Sequence, residues 1–207
     1  MPLKTENILV VPTAEFEPKY LENTFNTTDH SQLEGILENF VFKTRYIMEE
    51  DPNFKQIIPY VVVVNEKNEV LTYQRSPKSG EDRLHNMYSI GVGGHLDENL
   101  ENKTEAGIEI YLDGMIREIE EELGIKAHRN NFDIKATIYD DSNDVGKVHF
   151  GVVSLLRIDS KEFSHEGEMD ILVNREFLTL DELLNRHDSL ENWSKILIEN
   201  KDFVFTK

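Results

Sequence analysis

One acidic segment of the chain has residue types and spacing that suit metal chemistry. It runs Arg117-Glu118-Ile119-Glu120-Glu121-Glu122-Leu123-Gly124-Ile125, with four carboxylates inside five residues. Carboxylate oxygens bind hard divalent cations, and Mg²⁺ is typically held by one or two of them together with the phosphates of a substrate. The segment therefore predicts a metal site built on a helix. The competing interpretation is a solvated acidic helix face.

The residues around this segment have the periodicity of an amphipathic helix over Glu105 to Leu123. Apolar residues recur on one stripe roughly 100° wide, which predicts the buried face of the helix. They are Ile108, Leu112, Met115, Ile116, Ile119 and Leu123. Since residues three and four apart are neighbours on a helix, Glu118, Glu121 and Glu122 are expected to converge on another face, while Glu120 points elsewhere.

Mutual repulsion makes such a cluster of acids unfavourable unless something offsets it. Like charges at these spacings destabilise a helix by a few tenths of a kcal/mol per pair, and the macrodipole disfavours negative charge near the C-terminal end. A bound divalent cation offsets both effects. Arg117 lies four residues before Glu121, where it is expected to pair with that acid and hold its rotamer. Gly124 is expected to end the helix.

The segment Arg117 to Ile125 resembles the signature of the Nudix hydrolases. That signature runs Gly, five residues, Glu, seven residues, then Arg-Glu-apolar-any-Glu-Glu-any-Gly-apolar. The second half is matched at every defined position, and Glu109 stands at the required distance before Arg117. The chain is therefore identified as a member of this family, with a resemblance that covers Ile57 to Leu184.

The first half of the signature departs from the family pattern. The position six before Glu109 is Lys103, and the suitable glycines are Gly93 and Gly94. With Gly94 as the leading glycine, the loop before the helix carries an insertion, Asn99 to Gly107. We expect this insertion to shape substrate access rather than the metal site.

The resemblance implies both a fold and a reaction. The fold implied is of the α/β class, a Nudix-type α/β/α sandwich with a mixed β-sheet between helices. The reaction implied is hydrolysis of a phosphoanhydride or phosphate ester bond in a nucleoside-diphosphate-linked or related small phosphorylated substrate, with Mg²⁺ or Mn²⁺ as cofactor. Glu118, Glu121 and Glu122 are the implied metal ligands, and Arg117 and Glu121 are candidate catalytic residues.

Two other functions are known for this fold. One is a non-catalytic ligand sensor, which the intact set of acids disfavours. The other is an isomerase of the isopentenyl diphosphate type, whose family uses a cysteine, and this chain has none. Hydrolysis is therefore the favoured function, although no motif identifies the substrate.

Residues outside the signature helix are candidates for substrate binding. Arg75 ends a predicted strand at a place where Nudix enzymes often carry a basic residue that contacts phosphate; a surface ion pair is the alternative. Gly93 and Gly94 allow positive φ and let main-chain N–H groups approach a ligand. His95 follows them and could contact a phosphate or polarise a water, whereas a lone histidine is usually structural.

A catalytic base is expected from beyond the helix. Three acids on one helix cover one side of a metal site, and the attacking water still needs a base. Nudix enzymes often draw a further glutamate from the chain after the signature helix, and Glu166 and Glu168, on either side of Gly167, are our candidates. The alternative is a solvated acidic loop, which leaves the base to Glu121 or to a water held by the metals.

Composition narrows the class of partner. The chain has 207 residues and a formal net charge of −18. That charge argues against a broad nucleic-acid or anionic-membrane surface, because both need a basic patch, and no apolar run is long enough to span a bilayer. We expect a cytoplasmic protein that meets the phosphates of a small substrate with bridging cations and a few basic side chains.

The predicted domain organisation has a boundary after residue 53. Residues 1–53 are expected to form an N-terminal strand and a helix, Ser31 to about Met48, packed on the main domain; a homodimer contact is the alternative role of that helix. Residues 54–207 are expected to form the Nudix domain, in which Ile57 to Asn65 predicts a central strand and Glu69 to Arg75 its hairpin partner. Further strands are predicted at Phe132 to Tyr139, Lys147 to Ile158 and Leu172 to Phe177, with helices after Thr179 and from Leu190 to Ile198.

Overall fold

The computed structural model describes residues 5–76, 87–98, 106–159 and 172–205 of an α/β protein. The chain divides into two compact units that interleave along the sequence. The first contains Met1–Pro59, Gly94–Met115 and Ile134–Val153, and the second contains Tyr60–Gly93, Ile116–Asp133 and Ser154–Lys207. The domain boundary expected after residue 53 stays a prediction.

The N-terminal segment contributes three strands and three short helices to the first unit. The strands are β1 Asn7–Pro12, β2 Phe25–Thr27 and β3 Val41–Thr44. The helices are α1 Pro18–Glu22, α2 His30–Ile36 and α3 Arg45–Met48. Strand β1 pairs antiparallel with β3 and, at its C-terminal end, with β4 Phe54–Val64. The predicted N-terminal strand is confirmed as part of the sheet.

The long helix predicted from Ser31 to about Met48 is wrong. Helix α2 ends at Ile36, and the residues of β3 pair with Asn7 to Val10 of β1. Helical periodicity reflects local spacing alone. The β-branched and aromatic residues of β3 are instead stabilised by a strand from a distant part of the chain.

The start of α2 also differs from the expectation. Asp29 caps the helix in place of Ser31, because its Oδ1 accepts a hydrogen bond from the Gln32 N–H at 2.9 Å, and Gln32 Oε1 accepts one from the Asp29 N–H at 3.1 Å. This reciprocal pair is a capping box. Two residues of the apolar face expected for the long helix, Val41 and Ile47, are exposed and not part of the core.

Strand β4 leads through a tight turn into β5 Val70–Arg75. In the turn, Asn65 Oδ1 accepts hydrogen bonds from the N–H groups of Lys67 and Glu69, both at 2.9 Å, and Asn68 adopts a φ of 60°. Asparagine tolerates that left-handed conformation better than most residues. Strand β4 is buried along almost its whole length. The predicted hairpin and its buried strand are confirmed.

The remaining elements follow in chain order. The strands are β6 Tyr88–Ser89, β7 Gly91–Val92, β8 Phe132–Ile138, β9 His149–Arg157 and β10 Leu172–Leu178. The helices are α4 Gly107–Leu123, α5 Leu180–Asn185, α6 Asn192–Glu199 and α7 Lys201–Val204. The strands and helices predicted after the acidic segment are confirmed, with small shifts at their ends.

Ten strands of the described residues form one mixed sheet. Its main path runs β10-β5-β4-β9-β8-β2, while β1 pairs with β3 and β4, β6 pairs with β5, and β7 pairs with β4. The predicted fold class and the central position of β4 are confirmed. Among the described segments, no helix combines the length and the apolar composition that crossing a membrane requires.

Helix α4 carries the acidic segment, as the sequence predicts. Its buried side chains are Ile108, Tyr111, Leu112, Met115, Ile119 and Leu123. Ile116 is only half-buried, and Tyr111 was not part of the predicted stripe. Gly107 begins the helix close to the end of α2, where a Cβ on it would lie 2.5 Å from the main-chain oxygen of Leu37. The start of α4 is therefore held by a contact that only glycine allows.

We predict that Gly107→Ala lowers the free energy of unfolding by about 1–3 kcal/mol, because the added methyl group forces the helix start away from Leu37. Gly35→Ala in α2 is the control: a Cβ there meets nothing within 4 Å, and alanine is favoured over glycine in a helix by about 0.5–1 kcal/mol. Urea unfolding of the two variants measures the difference. Equal effects would contradict the close packing at Gly107.

Candidate functional site

Arg117 holds two acids of α4 at once. Its Nη2 lies 2.6 Å from Glu118 Oε1, and its Nη1 lies 2.8 Å from Glu121 Oε2. The sequence predicts the second pair from its i, i+4 spacing, but not the first. The Glu118 side chain is 13% exposed and the Glu121 side chain 55% exposed. The guanidinium therefore fixes a carboxylate near the core and one at the surface.

Glu122 is approached by a different arginine. Arg175 of β10 donates from Nη2 to the main-chain oxygen of Glu122 at 3.1 Å and from Nε to that of Leu172 at 2.9 Å. Burial lowers the pKa of Arg175, and the nearby charge of Glu122 acts in the opposite direction. Sequence analysis missed Arg175; the available signal was a basic residue within a strand that begins with apolar residues.

The end of α4 is built as predicted. Gly124 adopts a φ of 68° and donates its N–H to the main-chain oxygen of Glu120 at 2.9 Å. This left-handed residue satisfies a carbonyl of the last turn. The Glu120 side chain is exposed, as expected for an acid that does not share the face of the other three.

The acids of α4 offer a cation oxygen donors alone. Within the described ranges, no group of three or more His, Cys, Asp or Glu side chains is already gathered as a metal site. Arg117 instead occupies one oxygen of Glu118 and one of Glu121. A donor set of carboxylates without sulfur or imidazole fits Mg²⁺ or Mn²⁺. The role of Glu118, Glu121 and Glu122 as ligands stays a prediction.

The glycine pair lies directly after β7. Gly93 has a φ of 155°, a backbone conformation that favours glycine. Two residues after Gly94, the main-chain oxygen of Leu96 accepts a hydrogen bond from the Leu9 N–H at 2.8 Å. The Leu96 side chain lies so close to α4 that a Cβ on Gly114 would be 2.3 Å from its Cδ2. Leu96 thus fixes the segment after the glycine pair against β1 and α4.

His95 belongs to a hydrogen-bond chain that sequence analysis did not foresee. Its Nε2 lies 2.7 Å from Gln56 Oε1, and Gln56 donates from Nε2 to the main-chain oxygen of Met48 at 3.1 Å. Because the Gln56 oxygen can only accept, His95 Nε2 carries the proton of the neutral ring. Its Nδ1 is then the basic nitrogen.

His149 extends this chain. Its Nδ1 lies 2.7 Å from the main-chain oxygen of Val145, and its Nε2 lies 3.4 Å from His95 Nε2. The carbonyl accepts, so His149 Nδ1 donates and His149 Nε2 carries no proton in the neutral ring. The two rings are thereby assigned opposite tautomers.

The structure describes the remaining predicted site residues only in part. Arg75 is the last residue of β5 and pairs in the sheet with Leu172 of β10. Glu166 and Glu168 lie outside the described residues, as does most of the insertion Asn99 to Gly107. The exceptions are Ala106 and Gly107, and Gly107 begins α4 and is not part of a loop.

Comparison with known families decides the assignment. The model of the NUDIX domain matches residues 55–200. The chain belongs to the Nudix family. The match begins at the start of β4 and ends just after α6, and it includes the whole of α4.

Two relatives match this chain beyond the residues that the NUDIX model covers. The chain is 37% identical to protein YmaB of Bacillus subtilis (strain 168) across 94% of this chain and 96% of that protein. It is 30% identical to Tm1382, a candidate Nudix hydrolase, with a TM-score of 0.78 over 95% of this chain and 98% of that one. DR0079 of Deinococcus radiodurans shares the fold at 18% identity, with a TM-score of 0.53 over 78% and 90% of the two chains.

The hydrogen bonds of His95 and His149 predict the tautomer of each ring. Near neutral pH, ¹⁵N NMR of the imidazole rings should show His95 protonated at Nε2 and His149 protonated at Nδ1. Gln56→Met removes the accepting oxygen while keeping the side-chain volume, and it should relax the tautomer of His95 without changing that of His149. A neutral His95 protonated at Nδ1 in the unmodified protein would contradict the assignment.

Proposed function

We propose that the chain is a metal-dependent hydrolase that cleaves a phosphoanhydride or phosphate ester bond in a nucleoside-diphosphate-linked or related small phosphorylated substrate. This proposal depends mainly on the arrangement of Arg117 on α4. Its guanidinium nitrogens lie 2.6 Å from a carboxylate oxygen of Glu118 and 2.8 Å from one of Glu121. It lies where the chain matches the Nudix signature. Acids held by an arginine in this way suit ligands that must be oriented before a cation arrives.

Glu118, Glu121 and Glu122 are the residues that would hold Mg²⁺ or Mn²⁺. Such an ion neutralises charge on the phosphoryl group and makes its bound water more acidic. Arg117 contacts one oxygen of Glu118 and one of Glu121, so the second oxygen of each carboxylate would be the one offered to the ion. Since Arg117 sits beside both, it keeps them within a small set of rotamers and lowers the entropy that binding costs.

The substrate phosphates would be met by main-chain and side-chain donors. Gly93 and Gly94 let backbone N–H groups approach a phosphate oxygen, and Arg75 at the end of β5 can pair with phosphate charge. His95 is held by Gln56, so its orientation is set before substrate binds. With a net charge of −18, the protein needs these donors and the cations to overcome repulsion of a polyphosphate.

Hydrolysis also requires a base. The oxygen of a water forms a bond to phosphorus while the bond to the leaving oxygen breaks, and the water proton passes to the base. Glu166 and Glu168 are our candidates, with Glu121 as the alternative. Glu121 is the more exposed of the two acids held by Arg117, which leaves it accessible to a water.

Charge-removing variants along α4 test this proposal. Glu118→Gln and Glu122→Gln keep the side-chain shape, and each should lower turnover by orders of magnitude with little change in melting temperature. Glu120→Gln on the same helix is the matched control and should be nearly silent. The measurement is phosphate or nucleotide release across a panel of phosphorylated substrates with Mg²⁺ and with Mn²⁺. Equal effects at Glu118, Glu120, Glu121 and Glu122 would contradict the assignment of the metal ligands.

The segment between the glycine pair and α4 is proposed to control substrate access. Both of its ends are anchored: Glu98 donates its N–H to the main-chain oxygen of Asn7 at 2.8 Å, and Gly107 packs on Leu37. Replacing residues 100–104 with a shorter linker should therefore change KM or substrate preference before it changes metal affinity. A deletion that abolished metal binding would show that this segment supplies a ligand.

A further inference from the structure

Strand β10 contains a bulge immediately before Arg175. Its pairing with β5 runs Leu172 to Arg75 and Val173 to Gln74, then shifts before it resumes at Glu176. Asn174 adopts a φ of 53° there, and its Nδ2 donates to Gln74 Oε1 at 2.7 Å. A left-handed conformation is uncommon outside glycine, and bulges near functional sites re-aim a side chain. The bulge is therefore a candidate for a functional role.

The guanidinium of Arg175 lies directly after the bulge. The side chain is half-buried and bridges two carbonyl oxygens, that of Glu122 in the last turn of α4 and that of Leu172 in its own strand. Carbonyls at the C-terminal end of a helix lack partners within the helix and carry its negative pole, so a cation is favoured there. Burial lowers the pKa of Arg175, which indicates that this contact is made at a desolvation cost.

We propose that Arg175 is a positioning residue for the carboxylates of α4, and that the bulge at Asn174 sets its direction. By tying the Glu122 carbonyl to β10, Arg175 holds the last helical turn, which carries Glu121 and Glu122, in the conformation that accepts a cation. This inference rests on the proposed function, since it assigns Arg175 a role toward the metal expected there.

The geometry requires arginine and not only positive charge. Nε and Nη2 of a planar guanidinium donate in fixed directions to two separate carbonyls, whereas a lysine ammonium is a single point with flexible donors. Arg175→Lys keeps the charge near Glu122 and loses this fork. Arg175→Met removes both. The two variants therefore separate orientation from charge.

The closing experiment titrates the full-length protein with Mn²⁺ and follows bound Mn²⁺ by EPR. Arg175→Lys should bind Mn²⁺ about tenfold more weakly than the unmodified protein, the loss expected when a group that orients a ligand is removed. Hydrogen exchange of the Glu120 to Gly124 amides in the metal-free protein should become faster in the same variant. Arg157→Met is the control. It removes a positive charge from an exposed arginine whose Nη1 donates to Asn68 Oδ1, and it should match the unmodified protein in both measurements.

Two substitutions at Asn174 test the bulge itself. Both lose the hydrogen bond to Gln74, but Asn174→Gly accepts a φ of 53° and should bind Mn²⁺ like the unmodified protein. Asn174→Val is strained in that conformation. It should weaken Mn²⁺ binding as Arg175→Lys does, although Arg175 itself is retained.

The outcomes separate this inference from the proposed function. If the unmodified protein bound no Mn²⁺ at α4, the proposed metal site would fail. If it bound Mn²⁺ and Arg175→Lys bound it equally well with unchanged exchange, the positioning role would be overturned. Tighter binding by Arg175→Met, with Arg175→Lys unchanged, would mean that Arg175 acts through its charge alone, and this also overturns the proposal.

Discussion

The acidic end of α4 concentrates negative charge where the helix dipole already disfavours it. Two neighbouring arginines offset this charge. Arg117 pairs with Glu118 and Glu121 from within the helix. Arg175 reaches the carbonyl of Glu122 from β10. In a chain with a net charge of −18, these cations lie where the acids are densest. They offset the repulsion between acids that must lie close together to share a divalent cation.

Burial on the opposite face of α4 makes that concentration of charge tolerable. Each buried aliphatic side chain contributes roughly 1.5–3 kcal/mol, and Met115, Ile119 and Leu123 are all fully buried. Repulsion between acids costs a few tenths of a kcal/mol per pair. Burial of the apolar face therefore stabilises the helix by more than the repulsion between the acids destabilises it. The acidic face can then carry residues that suit metal binding. Gly107 sets where the helix begins.

The parts of the fold that the sequence predicted are those determined by local pattern. Helix α4 followed from its apolar periodicity, and β4 from an uninterrupted β-branched run. The helix expected from Ser31 to Met48 was wrong because pairing of β3 with β1 overrides the local pattern. Arg175 was missed for a related reason: the bulge at Asn174 is defined by its partner strand. The chain from His95 to His149 joins residues far apart in sequence, so spacing alone could not reveal it.

Anomalous diffraction from crystals of the protein soaked in Mn²⁺ would show whether the acids of α4 bind a divalent cation, because it locates the ion without reference to activity. We predict a peak beside α4 with carboxylate oxygens of Glu118 and Glu122 at about 2.1 Å, the distance small divalent cations adopt, and with Arg117 still in contact with at least one acid. A peak at a different place, or none at α4 with Arg117 still bridging Glu118 and Glu121, would contradict it.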